Sequence, residues 1–178
     1  AYGLSLLPSR VRRSACVTLF VTLVVPSTVL LPMMFLVSAE LGILNLTGAL
    51  ILPFIANPIA ILALTWAVLQ IPQDIYEAAR LDGAGPVRVF WKVILPSIIP
   101  VIAIVSFAEF VFMWNDYLWP LLTIQRSDIA PAQLAIDYYF HQFAYDFTGA
   151  LSLCVLMTFP VLVLMQTMRS YLYGQRDA

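Results

Sequence analysis

Glu109 and Asp116 are the only charged residues in the run from Val93 to Gln125. Seven residues is close to two turns of an α-helix, so on a continuous helix the two carboxylates would share a face with Ser106 and Met113. Trp114, Asn115 and Tyr117 flank that stripe. A carboxylate accepts hydroxyl hydrogens, and an amide both donates and accepts. An indole or phenol adds a flat apolar surface. Together these groups could hold a neutral polyol; none of them forms a nucleophile–base pair. An acid in the middle of an apolar span costs a few kcal/mol, so Glu109 should face the protein interior or water. The alternative is structural: Glu109 bonded to a neighbouring span, and Asn115 and Asp116 tying helices together. Trp119 reads as an anchor at the membrane boundary.

A second cluster lies between Ile71 and Pro96. Pro72 can open a helix and Gly83 can close one. Between them stands Gln73-Asp74-Ile75-Tyr76-Glu77-Ala78-Ala79-Arg80-Leu81-Asp82, with Asp74 and Glu77 near the start, where the helix dipole favours negative charge. Gly83-Ala84-Gly85 makes a turn and Pro86 can open a second helix. Val87, Phe90, Trp91 and Ile94 then follow the spacing of one apolar helical face, opposite Arg88 and Lys92. The segment predicts a compact helix–turn–helix. It is either a simple connection or a docking element, since Ala78 and Ala79 would allow close backbone approach.

The elements that position both clusters are apolar runs. The chain is 62% hydrophobic and 11% charged, against roughly half and a quarter in soluble domains. Uncharged stretches predict four membrane spans, at about 15–37, 49–70, 97–120 and 147–171, each of the roughly 20 residues that a bilayer requires. Pro26, Pro32, Pro53, Pro58, Pro100 and Pro160 fall inside them and predict kinks. The fold class is therefore all-α: a polytopic membrane protein with four kinked helices and a helix–turn–helix between the second and third. Arg10, Arg12, Arg13, Arg80, Arg88, Lys92, Arg169 and Arg176 collect on one side and only Arg126 on the other. That asymmetry predicts cytoplasmic ends and a cytoplasmic 71–95 segment, with loops 38–48 and 121–146 outside.

Several classes are disfavoured. A net charge of −1 gives no reason to expect nucleic acid. Cys16 and Cys154 fall inside spans and read as packing residues. One histidine, His141, cannot build a metal site. No G-x-x-x-x-G-K-[ST] string is present, so the chain lacks the loop that would cradle ATP phosphates. It starts at Ala1 with no signal-peptide pattern and reads as a fragment or a processed chain.

Glu77-Ala78-Ala79, Asp82-Gly83-Ala84, Val93 and Leu95-Pro96 resemble the EAA motif of ABC importer permeases, with Val93 where isoleucine is usual. Asp-Gly-Ala, Phe90-Trp91, the string Trp114-Asn115-Asp116-Tyr117-Leu118-Trp119-Pro120 and the opening Ala1-Tyr2-Gly3-Leu4 are similar to the carbohydrate-uptake branch, in particular its maltose-type second permease subunits. The resemblance covers essentially the whole of residues 1–178, and family members carry two further spans upstream. It implies a multi-pass protein of the bacterial inner membrane that forms the translocation pathway of a sugar importer. Its partners would be a second permease subunit, two ATP-binding cassette ATPases that bind the ATP, and an extracytoplasmic solute-binding protein. Lipid would surround it, and the chain would hold no cofactor or metal itself. Glu77, Ala78, Ala79, Asp82 and Gly83 would couple to the ATPase mechanically. Glu109, Trp114, Asn115, Asp116 and Tyr117 would line the substrate pathway. The binding protein would dock on the external loop, where Tyr138, Tyr139, Phe140, Phe143, Tyr145 and Phe147 cluster; interfacial anchoring is the other use for those rings. The resemblance leaves the sugar unnamed and glycerol-phosphate open. Two readings of other classes remain: an ion-driven transporter with Glu109 or Asp116 as proton site, and a membrane anchor for a cytoplasmic partner.

Overall fold

The computed structural model describes residues 1–142 and 147–174. Phe143, Tyr145 and Arg176 lie outside the described residues. Among those described, every regular element is helical: α1 (Tyr2–Ser5), α2 (Ser9–Val24), α3 (Ser27–Glu40), α4 (Thr47–Ile51), α5 (Pro58–Leu69), α6 (Gln73–Leu81), α7 (Pro86–Val89), α8 (Leu95–Trp114), α9 (Leu118–Thr123), α10 (Ala132–Gln142) and α11 (Phe147–Gly174). Short 3-10 turns occupy Leu52–Phe54 and Ser127–Ile129, and a π-helical turn, Phe90–Ile94, joins α7 to α8.

Two helices, Pro86–Trp114 and Phe147–Arg169, are long and apolar enough to cross a membrane alone. The other two predicted spans are broken pairs, Ser9–Val24 with Ser27–Glu40 and Thr47–Phe54 with Pro58–Leu69. Both breaks sit at X-Pro. Proline's ring pushes the residue before it out of the helical region. Val25 accordingly has ψ 120° and Asn57 ψ 119°. Asn57 then caps α5, its Oδ1 accepting from the N–H of Ile59 at 2.8 Å and of Ala60 at 3.3 Å. Pro32, Pro100 and Pro160 lie inside helices and end none of them.

The chain forms two compact units. The first comprises Ala1–Val25 and Ala56–Ser106. Its core is Ala67 and Val68 of α5 with Val89, Ile94 and Ile98, and Tyr2, Tyr76, Ala79, Ala84 and Phe90 pack around it. The second comprises Pro26–Ile55 and the chain from Phe107 onward. There Trp119 is 2% exposed, Thr123 and Ile124 are buried beside it, and its indole donates to the Ala49 carbonyl at 2.9 Å. Phe54 meets the Trp119 ring edge-on at 6.3 Å. Asn45 holds φ 59°, a left-handed geometry that asparagine tolerates. Its N–H donates to the Thr123 carbonyl, and its Oδ1 accepts from the N–H of Gln125. Trp119 is thus a structural centre of its unit, and the interfacial-anchor role is too small for it.

Large apolar side chains stay uncovered in both units: Phe20 and Val24 on α2, Val155 and Phe159 on α11. Water would not tolerate so much exposed hydrocarbon, whereas lipid tails or a neighbouring membrane helix cover it without penalty.

Candidate functional site

In the first unit, α6 is amphipathic about the position of its two alanines. Ala79 is half-buried and packs on the core, while Glu77 and Ala78 face outward. Only one of the pair therefore serves close packing inside the chain; the other is available to something outside it. Ile75, Leu81 and Asp82 are also exposed, and Leu81 is 88% exposed. An apolar side chain that bare, beside two carboxylates, makes a mixed patch on the outer face of the helix.

The turn after α6 has a specific geometry. Gly83 takes φ +73°, and the N–H of Ala84 donates to the Ala79 carbonyl at 3.0 Å. That is the six-residue closure of a Schellman cap, whose pivot is left-handed and favours glycine. No atom lies within 4 Å of where a Gly83 Cβ would stand, so the requirement is conformational rather than spatial. Tyr76 reaches back from α6 to the Val68 carbonyl at 3.5 Å. Burial first, and Tyr2 beside it second, push this phenol above its ordinary value, which keeps it protonated as a donor.

The apolar positions beyond the turn divide between core and surface. Val87 and Trp91 are 70% and 62% exposed, whereas Val89 and Ile94 are buried and Val93 is half-buried. The two buried residues are five apart, and a π turn lies between them. In it the N–H of Leu95 reaches the Phe90 carbonyl five residues back, and a wider turn rotates later residues away from the 3.6-residue period. Val89 and Ile94, five apart, fall into line. Phe90 remains inward, its ring tilted by 34° against Tyr2 at 5.1 Å, and Trp91 stands edge-on to it at 5.4 Å.

In the second unit α8 ends at Trp114. Asp116 therefore leaves the helix and shares no helical face with Glu109, contrary to the seven-residue expectation. Instead Asp116 Oδ1 accepts from the Trp119 N–H at 3.4 Å, a loose cap on α9. Asn115 follows the end of α8: its Nδ2 donates to the Val111 carbonyl at 2.7 Å, and the residue is exposed. Trp114 donates to the Met157 carbonyl at 3.2 Å. That bond ties the end of α8 to the middle of α11. Phe110 stacks on Trp114 at 5.3 Å. Tyr117 lies beside Asp137 of α10. Glu109 Oε1 is sealed from solvent.

Trp114 and Asn115 line one cavity of about 220 Å³ with Gln133 of α10 and Cys154, Met157 and Thr158 of α11. Glu109, Asp116 and Tyr117 do not line it. Gln133 and Thr158 are polar contributors that sequence reasoning missed. The i, i+4 pair Cys154 and Thr158 on an apolar helix was the available signal. The Thr158 hydroxyl donates to the Cys154 carbonyl at 2.9 Å, a local bond that leaves its lone pairs available to a ligand. Both cysteines are free thiols.

Residues 2–174 match the family described as binding-protein-dependent transport system inner membrane component. The chain is 26% identical over 174 residues to the lactose transport system permease protein LacG of Rhizobium radiobacter, covering 97% of this chain and 64% of that protein. It is 22% identical over 170 residues to the arabinooligosaccharides transport system permease protein AraQ of Bacillus subtilis, covering 96% and 60%. Against the sn-glycerol-3-phosphate transport system permease protein UgpE of Yersinia pestis it is 33% identical over 118 residues, covering 66% and 42%. The chain thus spans less than two thirds of the length of each of these relatives. With 173 of its 178 residues inside the match, the chain belongs to the family of binding-protein-dependent transport system inner membrane components.

Proposed function

We propose that this chain forms part of the translocation pathway of an ATP-driven importer of sugars or related polyols, and that α6 carries the force of ATP binding into the membrane. The observation that supports this most is the outward patch of Ala78, Leu81, Glu77 and Asp82, on a helix closed by a glycine-dependent cap at the family's coupling motif. The chain lacks a phosphate-cradling loop of its own, so a cytoplasmic ATPase pair supplies the energy. A second permease subunit completes the pathway and a solute-binding protein delivers substrate from outside. The excess of basic residues around α2, α6 and α7 supports a cytoplasmic position for them. ATP closure of the ATPases moves the α6 helices and opens the cavity outward; hydrolysis reverses it.

Leu81 is the test of the docking face. A photo-crosslinking residue at position 81, in the intact complex in native membranes, is expected to capture a protein carrying the phosphate-binding loop, with a yield that changes between ATP-bound and nucleotide-free states. Capture of lipid alone, in membranes that still take up sugar, would remove α6 from the coupling path.

The cavity at Trp114 and Asn115 supports a substrate contact. Asn115 lines that cavity with its amide nitrogen bonded to Val111, so Asn115→Ala removes an amide from the cavity wall and one bond at the helix end. Uptake per assembled complex is expected to fall by roughly tenfold, with altered preference among sugars, the effect of losing one or two hydrogen bonds. Assembly and basal ATP hydrolysis should persist. Unchanged rate and selectivity would exclude Asn115 from the pathway.

A further inference from the structure

A second cavity, of about 320 Å³, lies between the end of α9 and α10, and its lining includes Gln125, Arg126, Ser127, Asp137, Tyr138 and His141. That volume is at the lower end of the roughly 300–1,000 Å³ usual for ligand sites. It is large enough for one sugar ring. Leu121, Ile124 and Leu134 give it an apolar floor.

The polar groups are arranged by turns of fixed geometry. Asn45 holds the Gln125 N–H at 2.6 Å, which fixes the start of the loop. Asp137 lies one helical turn before His141 on α10, and His141 Nε2 stands 3.5 Å from its Oδ1. Tyr117 lies close to Asp137 as well. Asp137 thus sits beside two neighbours while its side chain remains 38% exposed. Tyr138 is 59% exposed, so its ring offers a free flat face. A fixed acceptor, an amide, a hydroxyl and an exposed aromatic face are the set that binds a pyranose or furanose through its hydroxyls and its C–H face.

Charge decides against anions. Arg126 spends its fork on Asp128, Nε to Oδ1 at 3.1 Å and Nη2 to Oδ2 at 2.6 Å. Those bonds hold the Asp128 carboxyl below its ordinary range, so it stays negative and cancels the guanidinium. Asp137 then adds a carboxylate to the lining. A phosphate or carboxylate would meet repulsion here; a neutral polyol would not.

We propose that this cavity is a binding site for a neutral sugar on the outer loop, separate from the cavity at Asn115, and that it receives the substrate before the membrane pathway does. The proposal rests on the importer reading above for the identity of the ligand class and for the direction of transfer.

His141 is the only histidine in the chain, so it reports the cavity alone. The chain labelled with 13C-histidine would be assembled with its unlabelled partners in nanodiscs and titrated with lactose and, separately, with sn-glycerol 3-phosphate. Lactose is expected to shift the His141 ring resonance saturably, and sn-glycerol 3-phosphate to leave it in place. Asp137→Asn keeps the shape and removes the charge; it should weaken the lactose response by roughly tenfold, as expected for a hydrogen bond to a charged group. Tyr138→Ala, at an exposed position with little packing to lose, should weaken it as well, and Asn115→Ala should not. A resonance that lactose does not move, an equal response to sn-glycerol 3-phosphate, or full lactose response in both loop variants would overturn the proposal. ATPase association scored on the same samples separates the two claims: a lactose response in a chain that binds no ATPase supports this site and sinks the importer reading alone.

Discussion

Gly83→Val should abolish ATP-driven uptake while leaving the sugar contacts untouched. The backbone at Gly83 sits at φ +73°, where a residue with a Cβ pays about 1–2 kcal/mol and a β-branched one more. The open space around the missing Cβ offers no steric reason for failure, so the whole effect passes through the backbone. To escape the strain the turn must unwind, which breaks the bond from Ala84 to the Ala79 carbonyl. It also rotates Leu81 and Asp82 away from their present direction. Transport is expected to fall by more than tenfold, with ATPase association weakened in parallel. Gly83→Asn is the informative partner, because asparagine visits the left-handed region with less strain; it should retain part of the activity. Equal loss in both variants would point to a need for the bare backbone rather than for the conformation. Full activity in Gly83→Val would remove the cap from the coupling account.

Trp119→Ala should disable the second unit. The ring is 2% exposed, it packs against Phe54, and its indole occupies the Ala49 carbonyl. Truncating a buried tryptophan costs about 3–5 kcal/mol, and the abandoned carbonyl adds to that. The expected result is a chain that no longer assembles and is cleaved rapidly by protease from the outer side. Trp119→Phe keeps most of the volume and loses only the hydrogen bond. It should assemble with a melting temperature between the two. A Trp119→Ala chain that assembles and melts like the parent would return Trp119 to a simple boundary anchor.

Much of this was legible in the residues because the signals were local. The uncharged runs showed the apolar helices, and Pro72, Gly83 and Pro86 bounded the helix–turn–helix to within one residue of α6 and at the start of α7. Proline positions were visible, but not which of them would break a span. Pro26 and Pro58 do so and Pro32, Pro100 and Pro160 do not; the positions of the prolines alone carry no sign of the difference. The π turn left no compositional trace, so the alignment of buried Ile94 with Val89, five residues earlier, was not visible. Asp116 was misplaced because nothing between Trp114 and Leu118 announces a helix end by glycine or proline. Trp119 was undervalued for another reason: its partner, Ala49, is 70 residues away, and no window along the chain contains both. Separation along the chain also hid the cavity at Asn115, whose other walls come from α10 and α11.

The central claim, that ATP acting through α6 drives substrate across the membrane, is tested most directly by uptake into proteoliposomes holding the purified complex and its binding protein. Labelled sugar should accumulate only when ATP reaches the ATPase side, should continue when proton and sodium gradients are collapsed, and should be lost in Gly83→Val at equal protein content. Accumulation driven by an ion gradient without ATP, and unaffected by Gly83→Val, would contradict the account and transfer the driving role to Glu109 or Asp116 as an ion site.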